Sequence, residues 1–392
     1  MLLELLLSLA PAIASGAAAD TGVVYQADHV HVAGNKVFSP GQVLVRDGRI
    51  VAVGEKVDGG QAPQVELHGH LSSGLIALGE TSLLGEEGTD TTRFLMPEVE
   101  ARMTFDPSQP ALARLAAEGI TTVVLTPPSY NLLAGRGLIA KTAGGRILAA
   151  SGPMHVAFDS GMFNDRPDPT PGADFGGGFF FFGPNGAVNP NGYRSSYPGA
   201  ADLLEKAVES KDSAAAGLKD GAVRAWLRSD SRAESSRALA FAQRHKVKGT
   251  LEAGPRIGDL APQIKESGLG IAMTLFGERN PHFGVQSALA LAKAGVNFGF
   301  CLDAGAQHPV RLRLAAALCR RGGMEEGQAF DTLTAGAARA AGLEKQVGSI
   351  AAGLDADLVL WSGAPTELTS RVLQVWVDGK SVHQAAAQGA KE

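Results

Sequence analysis

The chain has 392 residues, of which 45% are hydrophobic, 19% are charged and 50 are glycine. This composition excludes an intrinsically disordered chain and is enough for a large core with many turns. The formal net charge is −5 and the basic residues are scattered, which argues against a nucleic-acid partner.

Residues 1–20 combine an apolar run with a small-residue stretch at Ala17–Ala19. This pattern predicts a signal peptide and an exported protein, periplasmic or extracellular. The segment contains Glu4 and no lysine or arginine, so a cytoplasmic location is the alternative. No later stretch is long and apolar enough for a membrane span in the mature chain.

Short β-strands are predicted at both ends of the chain. Residues 22–67 read as β-structure, with a hairpin at 43–53 turning on Asp47-Gly48. The strand 357–361 and a hairpin at 372–382, which turns on Asp378-Gly379, form the second β region. Two β pieces at opposite ends predict one composite domain built from both termini.

The middle of the chain alternates helices and strands, often with a glycine between them. This rhythm is typical of a parallel α/β barrel, and an open doubly wound sheet is the alternative. Residues 160–200 interrupt it with a Gly/Pro-rich insertion that contains Phe179–Phe182. The predicted helices are 111–119, 202–219, 232–245 and 285–294, and the predicted strands are 120–126, 222–227, 247–252, 269–275 and 296–302.

The two Asp-Gly hairpins and the segment Gly348–Val359 carry a family resemblance. Gly348–Val359 reads Gly-Ser-Ile-Ala-Ala-Gly-Leu-Asp-Ala-Asp-Leu-Val. This closely resembles the end of amidohydrolase-superfamily proteins, particularly the imidazolonepropionase-like branch. Val45–Gly54 and Gly74–Ile76 resemble the opening hairpin and the approach to the first barrel strand, while 118–124 and 131–141 resemble the second strand and the loop after it.

The resemblance implies an α/β fold, a (β/α)₈ TIM-type barrel with a composite β-sandwich formed by the N- and C-terminal segments. It implies hydrolysis of carbon–nitrogen, non-peptide bonds in cyclic amides. The expected organisation is a signal peptide at 1–20, sandwich strands at 21–75, a barrel at 76–345 with the insertion at 160–200, further sandwich strands at 346–385, and a tail at 386–392.

The histidines that hold metal in this family are missing here. The strand-1 histidines fall on Gly79 and Thr81, and the preceding aspartate falls on Ala77. The strand-5 region 249–253 and the strand-6 region 271–276 also contain no histidine. Asp303 matches the family's strand-8 aspartate, which binds metal or acts as a general base.

His68-Gly69-His70 precedes the first barrel strand, so we interpret it as a structural or exposed pair on one face of a strand, with incidental metal binding as the alternative. His29 and His31 are interpreted in the same way. Lys141 is interpreted as a surface or ion-pair lysine, and a metal-bridging lysine is the alternative.

Two functional hypotheses remain open from the sequence. The first is a hydrolase with a reduced metal site, using Asp303 as the base together with Glu80 or Glu252. The second is a non-catalytic barrel, a pseudoenzyme, that binds a small-molecule ligand or a protein partner. No cofactor is assigned; a divalent metal, Zn²⁺ or Mg²⁺, is expected only for the first hypothesis. A homo-oligomer is compatible with both.

Overall fold

The computed structural model describes residues 22–32, 36–85, 93–129, 131–149, 151–159, 197–276, 280–302 and 305–386. The predicted signal peptide, Phe179–Phe182 with nearly all of the insertion, the tail beyond 386 and Asp303 lie outside the described residues. Among the described helices, none combines the length and the apolar character needed to cross a membrane.

The secondary structure is rich in short strands. The strands in chain order are β1 (Val23–His31), β2 (Val37–Phe38), β3 (Gly41–Arg46), β4 (Arg49–Gly54), β5 (Gln64–Ser73), β6 (Leu75–Glu80), β7 (Ile120–Leu125), β8 (Leu133–Arg136), β9 (Leu138–Lys141), β10 (Ile147–Ala149), β11 (Met154–Ala157), β12 (Ala225–Ser229), β13 (Gly249–Ala253), β14 (Gly270–Met273), β15 (Phe298–Phe300), β16 (Leu358–Trp361), β17 (Val372–Val377) and β18 (Lys380–Gln384). The α-helices are α1 (Pro110–Ala117), α2 (Tyr197–Glu209), α3 (Arg232–His245), α4 (Ala261–Ser267), α5 (His282–Lys293), α6 (Val310–Arg321), α7 (Glu326–Asp331) and α8 (Ala335–Ala341).

Strands from both ends of the chain share one eight-stranded sheet, the terminal sheet. Its order is β18-β17-β16-β5-β1-β3-β4, with β2 paired to β1. Both predicted hairpins are confirmed, since β3 pairs with β4 and β17 with β18 in antiparallel register. Asp47, Gly48, Asp378 and Gly379 all have positive φ, as a two-residue hairpin turn requires.

The central strands form two further sheets, in which β6 pairs with β7 and β11 to β15 pair in succession, all in parallel. An isolated parallel bridge between Leu78 and Cys301 links β6 to the chain just after β15. The predicted helix–strand rhythm from 222 to 302 is confirmed, with α3 matching its predicted bounds.

The segment 131–141, expected as a loop, instead forms β8 and β9. These strands run antiparallel to β11 and β7 respectively, where a regular parallel barrel was expected. β9, the neighbour of β7, follows it after residues 126–137, whose described part contains β8 and no helix that could form the crossover of a parallel pair. The chain therefore turns back directly.

The predicted helix 202–219 is also wrong in its second half. α2 ends at Glu209, and a separate 3₁₀ segment follows at Ala214–Gly221. The Ser213 side chain accepts the backbone N–H of Ala215 and so caps this new segment. A local capping bond here overrides the helical pattern of the surrounding side chains.

Small residues let α8 pack closely against the starts of the central strands. A Cβ added to Gly299 would come within 2.6 Å of the Ala337 Cβ, and one added to Gly270 within 2.3 Å of the Ala340 carbonyl oxygen. The Thr250 hydroxyl donates to that same carbonyl at 2.8 Å. With α8 at the N-terminal ends, the carboxyl ends of β6, β12 and β13 remain to carry polar side chains.

Candidate functional site

Three side chains on β12 and β13, the buried Trp226 and Glu252 and the partly exposed Arg228, form the centre of the candidate site, and we name them the Arg–Glu network. The Trp226 indole N–H donates to Glu252 Oε2 at 2.6 Å, and Arg228 Nη1 donates to Glu252 Oε1 at 2.5 Å. Arg228 and Glu252 are also register partners on adjacent parallel strands. Both oxygens of Glu252 are therefore committed to protein donors.

Electrostatics in the Arg–Glu network follow from burial and pairing. Burial raises the pKa of Glu252, while the Arg228 guanidinium and the Trp226 N–H oppose that rise. Glu252 in turn raises the pKa of Arg228 above its ordinary value. The guanidinium is thus a fixed positive charge against a buried carboxyl group.

Gly79, where the family's first metal-binding histidine would align, is packed against this network. A Cβ at Gly79 would lie 3.1 Å from Cys301 Sγ, 3.1 Å from the Trp226 ring and 3.2 Å from Glu252 Oε2. Its φ of 65° also disfavours any residue with a side chain. The space for an imidazole is filled by the indole and the carboxylate.

We expect Gly79→Ala to lower the free energy of unfolding by about 2–3 kcal/mol, because strain at positive φ adds to crowding of a packed interior. The measurement is urea unfolding followed by circular dichroism. The matched control is Gly85→Ala, which has a φ of 68° and no atom within 4 Å of the added Cβ. Equal losses in the two variants would contradict the filled space at Gly79.

Glu80, at the carboxyl end of β6, is buried, and only one of its two carboxylate oxygens has a hydrogen-bond partner among the described residues. Its Oε1 accepts the Ser82 backbone N–H at 2.6 Å and the Ser82 hydroxyl at 2.5 Å. Its Oε2 is buried and has no hydrogen-bond partner among the described residues. Burial raises the pKa of Glu80, and the Ser82 bonds oppose that effect. This carboxyl group can therefore hold a proton or accept one from a ligand.

His155 on β11 belongs to the same region. It is fully buried beside Trp226 in the register of β11 and β12. Nε2 lies 3.3 Å from the Ser129 hydroxyl, and Nδ1 has no hydrogen-bond partner in the described part of the chain. Burial, aided by the charge of Arg228, lowers the pKa of His155 to about 3. The imidazole is neutral at physiological pH.

A folded-state pKa below the ordinary 6.5 means that the unfolded chain takes up the proton first as the pH falls. The stability from neutral His155 is present above pH 6.5 and is lost as the pH falls towards 3. We expect a loss of about 2 kcal/mol from this residue between pH 8 and pH 5. Urea unfolding at the two pH values should show it.

His155→Gln should reduce this pH dependence, because the replacement side chain does not titrate. The matched control is His68→Gln, which removes an imidazole that is 90% exposed and should leave the dependence in place. An unchanged slope in His155→Gln would contradict the prediction.

His68 is exposed and His70 is partly buried, so the prediction that the two form a pair on one face of the strand is wrong. Gly69 has a φ of 129° and approaches the Trp361 carbonyl oxygen closely, and the register shifts between Ala27 and His29. His70 is drawn instead towards β1, where its Nδ1 lies 2.9 Å from His31 Nε2.

His29 also joins this histidine pair, with its ring centroid 4.3 Å from that of His70. Burial and the two neighbouring imidazoles lower the pKa of His31 to about 4. The interpretation of these histidines as structural is consistent with the contacts.

Lys141 is an ion-pair lysine, but it is fully buried and not at the surface. Its Nζ pairs with Asp357, lies 3.1 Å from Asp355 and lies 3.6 Å from Asp378. Arg146 binds Asp355 at 2.7 Å and Asp378 at 2.6 Å. This ion cluster joins β9 to the terminal sheet, so the two aspartates of the Asp-Ala-Asp motif stabilise the fold.

Comparison with known proteins shows which family part of this chain resembles. The sequence profile described as the amidohydrolase family matches residues 230–382. Over these residues, which include β13 to β17, the chain is similar to that family. The imidazolonepropionase-like branch is not distinguished by these comparisons and stays a prediction. No curated protein matches this chain.

Several solved structures share the fold. An amidohydrolase from Thermotoga maritima MSB8 is 22% identical, with a TM-score of 0.76 over 93% of this chain and 100% of that one. A prolidase complexed with N-methylphosphonate-L-proline is 17% identical, with a TM-score of 0.60 over 93% and 100%. An adenosine deaminase from Xanthomonas campestris with bound zinc is 15% identical, with a TM-score of 0.51 over 92% of each chain. The fold is therefore of the TIM-barrel type with mixed α/β content.

The described residues do not fit the metal that the superfamily implies. Among them, no group of three or more histidine, cysteine, aspartate or glutamate side chains is arranged to hold an ion. Glu252 already holds the Arg228 cation, and Glu80 Oε2 alone is one oxygen where such an ion takes four or more ligands. Asp303, the third predicted site residue, lies outside the described part of the chain.

Proposed function

We propose that this protein is a barrel of the amidohydrolase superfamily that binds a small polar ligand without metal-dependent hydrolysis. The observation that carries the proposal is the Arg–Glu network, in which both oxygens of Glu252 are bonded to protein donors. In this proposal the metal site is degenerate and the barrel is non-catalytic.

Charge supports the proposal further. A divalent ion ligated by Glu252 would sit about 2.0–2.6 Å from a carboxylate oxygen, next to the guanidinium that already bonds to this group. The two cations would repel each other at a few ångströms in a partly buried site, where screening is weak. Arg228 therefore takes the place of a metal as the positive charge that neutralises Glu252.

Two buried polar groups also suggest a ligand class, which we propose to be a neutral cyclic amide. Glu80 Oε2 and His155 Nδ1 are both buried without a partner among the described residues. Buried polar atoms without partners are rare unless a ligand or water satisfies them. A cyclic amide offers one N–H to a carboxylate and one carbonyl to a donor, and its lack of net charge suits a site that contains its own ion pair.

A second candidate function is hydrolysis of a carbon–nitrogen, non-peptide bond in such a cyclic amide. It is favoured by one observation, the unpartnered Oε2 of Glu80 with its raised pKa. In this alternative Asp303 removes a proton from the attacking water, and protonated Glu80 gives its proton to the leaving nitrogen as the ring opens. Glu252, which the sequence offered as an alternative to Glu80, has no free oxygen for this role.

Metal analysis and turnover separate the two candidates. We expect purified protein, dialysed against Zn²⁺, Mn²⁺ or Mg²⁺, to retain far less than one ion per chain, and we expect a chelator to leave its unfolding temperature unchanged. Hydantoin or 2-pyrrolidone should raise that temperature without being hydrolysed. About one tightly held ion per chain, with turnover that a chelator abolishes, would contradict the binding proposal.

Turnover that a chelator does not affect, but that Glu80→Gln and Asp303→Asn both abolish, would establish the second candidate. The control variant is Glu98→Gln, which changes an exposed carboxylate paired with Arg93 and should leave both assays unchanged.

The closure of the central strands into a barrel is also a proposal, and the strand pairings support it. We propose that β6, β7, the antiparallel β8–β9 segment and β11 to β15 close into one barrel, which would hold residues 76–345. The terminal sheet would then form the composite β-sandwich from 21–75 and 346–385. Export through residues 1–20 remains a proposal, and amino-terminal sequencing of the mature protein after expression in a bacterium would test it.

A further inference from the structure

A cavity of about 220 Å³ lies away from the Arg–Glu network, between α2, α3 and the carboxyl end of β11. None of Glu80, His155, Arg228 and Glu252 lines it. Most of its wall is apolar and includes Leu132, Ala157, Phe158, Leu204 and Phe241. Phe158 and Phe241 pack against each other with ring centroids 5.6 Å apart, so one side of the cavity is formed by two aromatic rings in contact.

The cavity is also lined by charged side chains, and these include more cations than carboxylates. Glu205 is paired with Arg244 and lies 2.6 Å from His245 Nε2. Arg237 stacks on the Tyr197 ring, with its guanidinium carbon 4.2 Å from the ring centroid. No carboxylate within the described ranges pairs with Arg237. The cavity therefore has one guanidinium whose donors are available to a ligand.

We propose that this cavity binds a small amphipathic carboxylate, with the apolar body inside and the carboxylate on Arg237. The volume corresponds to about seven water-sized groups at roughly 30 Å³ each, which suits a chain of seven or eight carbons or one substituted ring. Arginine and carboxylate form charge-assisted, often bidentate hydrogen bonds, so the charge complementarity selects an acid over an alcohol or amine. The inference is independent of the function proposed for the barrel.

Isothermal titration with octanoate, octan-1-ol and octylamine tests the charge assignment. We expect octanoate to bind one site per chain at least tenfold more tightly than octanol, and octylamine to bind more weakly still. Arg237→Gln should weaken octanoate binding at least tenfold and leave octanol binding unchanged. Failure of octanoate to bind, or equal affinity for octanoate and octanol, would overturn the proposal.

Two further variants locate the site. Leu204→Trp should fill the cavity and abolish binding of both octanoate and octanol. Arg232→Gln is the matched control, since this arginine lies on the same helix, is exposed and pairs with Asp259 outside the cavity. If Arg232→Gln weakens octanoate binding as much as Arg237→Gln, the binding reflects general surface charge and the assignment to this cavity is wrong.

Discussion

Arg228→Met should lower the free energy of unfolding by about 3–5 kcal/mol, because it leaves the buried Glu252 carboxylate without its counter-ion. Glu252 is almost fully buried, and after the substitution it keeps only the Trp226 N–H as a donor. Urea unfolding at pH 8 measures the loss. The deficit should shrink at pH 5, since an unpaired buried carboxyl has a raised pKa and takes up a proton in the folded state.

Two comparisons make this prediction specific to the Arg–Glu network. Arg232→Met removes an exposed arginine that pairs with an exposed Asp259, and it should change stability by less than about 1 kcal/mol. Arg228→Met combined with Glu252→Gln should recover much of the loss, because the orphaned charge is removed together with its partner. A single Arg228→Met variant as stable as the control would show that Glu252 does not depend on this cation.

Lys141→Met should be comparably destabilising, by about 3–5 kcal/mol, since it removes the cation at the centre of the buried ion cluster. Asp355 and Asp378 keep Arg146, so Asp357 is the carboxylate left without a cation. Burial raises the pKa of Asp357, and Lys141 opposes that rise. Guanidinium unfolding followed by tryptophan fluorescence measures the loss.

The control for this variant is Lys206→Met, which breaks an exposed ion pair with Asp202 within α2. Such pairs contribute about 0.5 kcal/mol or less, so the control should be close to wild type. Lys141→Met with Asp357→Asn should restore most of the stability. No recovery in this double variant would mean that the loss arises from packing around the lysine chain and not from the orphaned carboxylate.

The parts of this fold that sequence predicted well are those set by neighbouring residues. An Asp-Gly pair at positive φ makes a hairpin turn whatever surrounds it, so β3–β4 and β17–β18 were both predicted. α3 matches its predicted bounds, and in the structure Ser231 and Glu234 form a capping box that fixes its start locally. The absence of histidine at positions 79 and 81, which are Gly79 and Thr81, is likewise visible in the sequence alone.

Predictions failed where the connection between two strands or a local hydrogen bond decided the outcome. The direction of β9 depends on a connection from β7 whose described residues contain no crossover helix, which the hydrophobic periodicity does not reveal. The break after α2 depends on one Ser213 capping bond competing with a helical pattern. The histidine pattern at 68–70 failed because a positive φ at Gly69 interrupts the alternation of the strand.

The sequence by itself determined that this chain has an ending that resembles that of amidohydrolases, an opening hairpin and a first strand without metal-binding histidines. Only the tertiary structure decided what stands in their place. Glu252 meets Arg228 across two strands, and Lys141 meets Asp357 across 216 positions. The sequence shows which residues can carry a charge, but burial and strand register determine which of them pair. The pairing then determines whether a carboxylate is available to a ligand or is already bonded to a cation of the protein.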